Sequence, residues 1–148
     1  MTGAGALAAK AAFKTGSGLV YLAVPKSLSH IYNILVPEAI TIPLNDDNGI
    51  ITEDNIMNLL DASGKMDSVV IGPGLSAGPA VAAWVSDFVA SCTKPLVIDA
   101  DALNVLMPEI FTRRKWPAVI TPHPGEFAAL IGSTVSEIQK YRVANALQ

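Results

Sequence analysis

A mostly parallel α/β fold is predicted for this chain, and three features of its sequence predict it. Apolar runs without polar alternation recur at Ser68-Val69-Val70-Ile71, Pro95-Leu96-Val97-Ile98-Asp99 and Ala118-Val119-Ile120-Thr121, the pattern of strands covered on both faces. Each run passes directly into a loop of unusual residues and then into a helical segment, the alternation that builds a parallel sheet with helices on both faces. The chain has 148 residues, 51% of them hydrophobic and 16% charged, which is ordinary for one globular domain. At that size about two-thirds of the unfolded surface can be buried without disulfides or a structural metal.

Taken in order, Gly3 to Thr15 is rich in small residues and stops at Gly16, so it reads as a helix packed closely on a sheet. Leu19 to Val24 lacks alternation and lies between Gly18 and Pro25, which predicts a strand covered on both faces. Ser27 is expected to cap a helix to about Leu35, Ala39 to Leu44 to form a strand, and Thr52 to cap a helix to about Asp61. Pro79 opens a helix to about Ser91, using proline where a helix tolerates it. A short helix follows Asp101, another runs from Pro124 to about Ile131, and Thr134 with Glu137 predicts a capping box for a closing helix through Leu147.

Composition also excludes several classes. Ten Lys and Arg stand against 13 Asp and Glu, a net charge of -3, and the one basic cluster, Arg113-Arg114-Lys115, reads as a solvated corner, so no nucleic-acid partner is expected. No apolar run reaches the roughly 18 residues that span a bilayer, so no membrane partner is expected. Lys10 and Lys14 interrupt the stretch that would otherwise imitate a signal peptide. Cys92 is the single cysteine; it excludes an intrachain disulfide and reads as a small core residue in a reducing compartment. His30 has no motif around it and reads as a surface or helix residue.

In parallel sheets ligands bind beyond the carboxyl ends of the strands, and all three unusual loops lie there. They are therefore expected to converge on one cleft. In the first loop, Gly72-Pro73-Gly74 allows close backbone approach to a phosphate at a helix N-terminus; a tight turn explains the same residues. Gly72-x-Gly74-x-x-Ala77, with Asp99 ending the next strand, also fits a dinucleotide fingerprint. Against that, Pro73 lacks an N-H and Gly78-Pro79 delays the helix. Asp99 and Asp101 can polarise a hydroxyl or orient a metal-bound water, but Asp101 reads first as an N-cap. Asn104 is either helix surface or a cleft hydrogen-bonder. His123, restrained between Pro122 and Pro124, is held in one direction and can pair with Glu126, although a stiff turn accounts for the prolines alone.

The segments Gly3 to Val24, Val70 to Leu75 (VIGPGL), Leu96 to Leu106 (LVIDADALNVL) and Ile120 to Leu130 (ITPHPGEFAAL) resemble the ADP- or ATP-dependent NAD(P)H-hydrate dehydratases of the ribokinase-like superfamily. The resemblance implies a ribokinase-like fold and repair of hydrated NADH or NADPH. A nucleotide, with Mg2+ as phosphate counter-ion, phosphorylates the ring hydroxyl, and loss of phosphate restores the double bond. It implies that the substrate lies against Ala4, the Gly72-Pro73-Gly74 loop and His123, with Asp99, Asp101, Asn104 and Glu126 at matching motif positions.

The family's Gly-Thr-Gly-Asp string, which carries an anion hole and the base, and its Lys-Gly segment do not occur in the 148 residues. The expectation is therefore the central portion of one such domain, 1-148, incomplete at both ends, with no catalytic residue and no metal ligand of its own and inactive alone. The complete enzyme is expected to be a cytoplasmic homo-oligomer. The alternatives are a small-molecule kinase of the same superfamily, a Rossmann-type dinucleotide-binding module and a non-catalytic interaction domain.

Overall fold

The computed structural model describes residues 1–147. Its amino-terminal half contains α1 (Thr2–Lys14), β1 (Tyr21–Pro25), α2 (Ser29–Leu35), β2 (Ile40–Leu44), β3 (Asp46–Asp47), β4 (Ile50–Ile51) and α3 (Ile56–Gly64). The second half contains β5 (Val69–Ile71), α4 (Pro79–Ser91), β6 (Leu96–Ile98), α5 (Asp101–Val105), α6 (Glu109–Arg113), β7 (Ala118–Ile120), α7 (Pro124–Ile131), α8 (Val135–Lys140) and α9 (Arg142–Ala146). The three predicted apolar runs form one parallel sheet in the order β5-β6-β7. Its register aligns Val70 with Val97 and Val97 with Val119. A separate parallel pair joins β1 to β2, with Tyr21 opposite Ile40 and Leu22 opposite Thr41.

The main core lies between the β5-β6-β7 sheet and α4, α5 and α6. Ile71, Leu96 and Ile98 meet Val81, Trp84, Val85, Phe88 and Val89 from α4, with Leu103, Leu106 and Ile110 closing the layer. Val85, Val89 and Ile98 are fully buried, each worth about 1.5–3 kcal/mol of apolar transfer. Cys92 sits in this core as the sequence suggests, its thiol 3.7 Å from the Ser63 hydroxyl. The opposite face of the same sheet is open among the described residues: Val70 is 54% and Val119 60% exposed.

Several local expectations are corrected. β1 is covered on one face only. Leu22 packs toward α1 while Val24 is buried, but Tyr21 and Ala23 are exposed, because α1 and α2 both pack on the β1-β2 pair and the described residues leave its other side open. Ser27 does not cap a helix. Residues 26–28 form a 3-10 turn before α2, and the Ser27 amide and hydroxyl both donate to the Asp46 carboxylate, at 2.9 and 2.6 Å. Thr52 likewise precedes a 3-10 turn, and its hydroxyl turns to the Asn45 carbonyl and Asp54 instead of a helix amide.

The β3-β4 hairpin was not expected. Its turn is Asn48-Gly49, with φ of 50° and 82°, the sequence and geometry of a type I′ connection. In the basic cluster, Arg113 and Lys115 are exposed, but Arg114 is drawn in. Its guanidinium donates to the carbonyls of Val89, Cys92, Lys94 and Pro117, binding the end of α4 to the entry of β7. Burial lowers its pKa. Only half of the predicted capping box forms: the Thr134 hydroxyl accepts from the Glu137 amide, while the Glu137 carboxylate takes the Ser133 hydroxyl. The closing helix breaks at Tyr141, whose φ of -126° and ψ of 40° separate α8 from α9. There the Asn145 side chain donates to the Glu137 carbonyl alongside the helical amide of Tyr141, bridging the break.

Candidate functional site

The loop after β5 is shaped by a tight turn. The Leu75 amide donates to the Gly72 carbonyl at 3.1 Å, with Pro73 at the second position and Gly74 at the third with φ 75°, a type II turn. Glycine is required twice. Gly72 has φ 123°, and a Cβ there would overlap the Asp99 carbonyl. A Cβ at Gly74 would overlap the Met1 carbonyl and lie 3.2 Å from the Ala4 Cβ. The loop therefore presses on the turn after β6 on one side and on the start of α1 on the other, which brings Ala4 against Gly74. Beyond the turn, Ser76 holds φ 76°, unusual for a residue with a side chain. Helix α4 begins only at Pro79 after an uncapped Gly78, so the third fingerprint position, Ala77, lies ahead of the helix.

The strand β6 turns into α5 through Ala100, whose φ of 49° and ψ of -124° are strained for a non-glycine residue. The two aspartates on either side bond in different directions. The Asp99 carboxylate accepts the Thr121 hydroxyl at 2.8 Å, tying the β6 loop to the β7 loop. The Asp101 carboxylate accepts the Ser76 amide at 2.8 Å, tying it to the β5 loop. Asp101 is thus not the predicted N-cap: Ala100 occupies the cap position, Asp101 is the first residue of α5, and its side chain reaches across to a distant loop. Asn104 is exposed on α5.

At the end of β7, His123 is the N-cap of α7, with Pro124 behind it. Its Nδ1 accepts from the Gly125 and Glu126 amides at 3.0 and 3.2 Å, and Glu126 Oε2 accepts the His123 amide at 2.8 Å. The result is a capping box with histidine in the place of serine. Two amides pointing at Nδ1 fix that nitrogen as an acceptor, so the proton of the neutral ring is on Nε2. Glu126 Oε1 lies 3.4 Å from Nε2; the Glu126 side chain is 9% exposed and that of His123 is 69% exposed.

The structure therefore joins the start of α1 and the loops after β5, β6 and β7 through contacts among Ala4, Gly74, Gly72, Asp99, Asp101 and Thr121, with His123 two residues beyond Thr121. Ser76 and Thr121 were not among the sequence candidates. The edge is open on the side of Thr121 and His123, both exposed. Two depressions lie elsewhere: an open one of about 780 Å³ beside Lys26, Ser27, Asn45, Asp46 and Asn48, and a shallow one of about 120 Å³ at the opposite strand ends, beside Pro95, Val97, Pro117 and Val119. Among the described residues, no three His, Cys, Asp or Glu side chains gather as a cation site.

Comparison with known proteins identifies the family and the fold. The family described as NAD(P)H-hydrate dehydratase matches residues 1–148. A bifunctional NAD(P)H-hydrate repair enzyme of Moorella thermoacetica is 40% identical over 146 residues, covering 97% of this chain and 28% of that protein. The ADP/ATP-dependent NAD(P)H-hydrate dehydratase of Bacillus subtilis, co-crystallized with ATP/Mg2+, superposes with a TM-score of 0.72 at 28% identity, over 97% of this chain and 48% of that one. A ribokinase-like superfamily protein of Enterococcus faecalis gives a TM-score of 0.76 at 20% identity, over 97% and 48%, a likeness of fold alone.

Proposed function

Because the chain belongs to the NAD(P)H-hydrate dehydratase family and has its ribokinase-like α/β fold, we propose that residues 1-148 are the central portion of one dehydratase domain and supply its surface for hydrated NADH or NADPH. One observation carries this reading: four stretches remote in sequence are tied together at the carboxyl edge of a parallel sheet, where such folds bind ligands. Ala4 and the Gly72-Pro73-Gly74 loop offer backbone at close range to a dinucleotide. His123 offers an exposed Nε2-H donor. Asp99, Asp101, Asn104 and Glu126 frame the same edge.

In the complete enzyme ADP or ATP, with Mg2+, supplies the phosphoryl group that converts the ring hydroxyl into a leaving group. In this reading the residues of this chain hold and orient the substrate, and no metal step is assigned to them. The protein whose name this reading borrows is longer; the chain spans about half the length of the solved relatives. A cytoplasmic homo-oligomer completes the proposal. No helix among the described residues is long and apolar enough to cross a membrane, and Cys92 is buried and unpaired.

The experiment is a thermal shift series with hydrated NADPH, NADP+, ATP and a sugar. A ligand that binds only the folded state stabilises it by about 2.7 kcal/mol at a hundred times its Kd. Stabilisation by hydrated NADPH above all others is expected. Equal stabilisation by ordinary NADP+, lost in Asp99→Ala, would establish the Rossmann alternative; a stable phosphorylated product made from a small alcohol by the complete protein would establish the kinase. Indifference to every ligand would leave a non-catalytic interaction domain and refute the proposal.

A further inference from the structure

We propose that Asp101 is a positioning residue that acts through Ser76: its carboxylate latches the Gly72–Gly78 loop in the shape that receives the substrate, and does not itself bind the substrate. The inference rests on the substrate reading above. The argument begins with the loop. After the type II turn its backbone has no helix or strand to hold it until Pro79, and Ser76 is kept at φ 76°, where a side chain is disfavoured. Such a conformation persists only where its surroundings over-determine it. The bond that does so is the 2.8 Å contact from the Ser76 amide to Asp101, across 25 residues of sequence.

The other end of that bond is equally constrained. Ala100, in its own strained conformation, sets the direction in which Asp101 leaves β6. The Asp99 carbonyl packs so closely on Gly72 that only glycine fits, so the two loops are in direct backbone contact. With Asp99 also holding Thr121, the β6-α5 turn is the middle piece that sets the β5 loop and the β7 loop relative to each other. A carboxylate already accepting a backbone amide, and half-buried beside it, has the place of a structural acceptor.

Two substitutions separate this role from direct recognition. Asp101→Asn keeps an acceptor oxygen in place and removes the charge. Asp101→Glu keeps the charge and moves the acceptor outward by one methylene. Exchange of the Ser76 amide and the Kd for hydrated NADPH are measured in each. The latch predicts that Asp101→Asn keeps Ser76 protected and binds better than Asp101→Glu, which loses protection and about tenfold in affinity, the weight of one hydrogen bond to a charged acceptor. The reverse order, or unchanged Ser76 protection in Asp101→Glu, overturns the inference. If the wild-type protein binds no hydrated NADPH, the substrate reading falls, and the exchange of Ser76 alone decides the latch. Asp101→Ala, read at matched fraction folded, provides the limit with no acceptor at all.

Discussion

Replacing Gly72 by alanine tests the close approach on which the site depends. Two costs add. Gly72 has φ 123°, a region from which an L side chain is nearly excluded, for about 1–3 kcal/mol. The new Cβ would also overlap the Asp99 carbonyl, with the Ala102 Cβ at 3.0 Å on the other side. A backbone carbonyl cannot rotate away as a flexible side chain does, so relief requires a shift of β6 or of the loop, for about another 1–3 kcal/mol. The sum is about 2–6 kcal/mol, a large part of the roughly 5–15 kcal/mol that holds a domain together. For a chain of this length each kcal/mol lowers Tm by about 2–4 °C. Urea unfolding followed by circular dichroism measures it directly. Gly64→Ala is the control: it ends α3, has no positive φ and has nothing within 4 Å of a built Cβ, so it is expected to be neutral or slightly stabilising. Equal midpoints for Gly72→Ala and Gly64→Ala would refute the packing argument.

His123→Ser retains an N-cap acceptor but removes the Nε2-H, so stability within about 1 kcal/mol of wild type together with loss of hydrated NADPH binding by calorimetry is expected; equal affinity would remove His123 from the site. Arg114→Lys replaces a fork serving four carbonyls by a single ammonium, and a loss of about 2–4 kcal/mol in denaturant unfolding is expected, with Arg114→Ala no milder. The Ser27 hydroxyl and then its amide hold the Asp46 carboxyl below the usual aspartate range. A depressed folded pKa stabilises above the unfolded value and loses that contribution as pH falls through the folded one. Tm should therefore fall between pH 5 and pH 2 less steeply in Asp46→Asn than in wild type, as differential scanning calorimetry would show.

The strands and two of the helix starts in the second half of the chain were legible because their signals are local, although the same apolar runs gave no sign that Val70 and Val119 are exposed. Val69–Ile71, Leu96–Ile98 and Ala118–Ile120 appear as apolar runs, and Pro79 and Pro124 mark helix starts that the structure retains. The first half failed where the answer depends on neighbours. Leu19 to Val24 is apolar throughout and so gives no indication that Tyr21 and Ala23 face outward. The β3-β4 hairpin did have a local signal, Asn48-Gly49, but its strands have only two residues each, too short for alternation to register. Ser76 and Thr121 had none: their partners lie 25 and 22 residues away, and nothing about a serine in a loop or a threonine after a strand names such a partner. Arg114 is the same case, since burial of one member of a basic triplet is decided by carbonyls gathered from three other segments.

The sequence set a stiff turn against a function for His123 and a helix N-cap against a function for Asp101; in the structure His123 is itself the cap of α7 and Asp101 is not a cap. The cap of α7 consumes Nδ1 of His123 with two amides, and that settles the chemistry of the opposite nitrogen. For Nε2 to take a proton from a substrate, the ring would first need its proton on Nδ1, directly against the two amides; the cap forbids it. His123 is thereby confined to donating, which suits a phosphate or carbonyl oxygen of a dinucleotide and not the removal of a proton. The aspartates follow the same logic. Each accepts from a protein donor, Thr121 for Asp99 and Ser76 for Asp101, so both carboxylates tie the β6 turn to its neighbouring loops. On the proposed reading this edge holds and aligns the substrate, with His123 as its donor and the two aspartates keeping its loops in register.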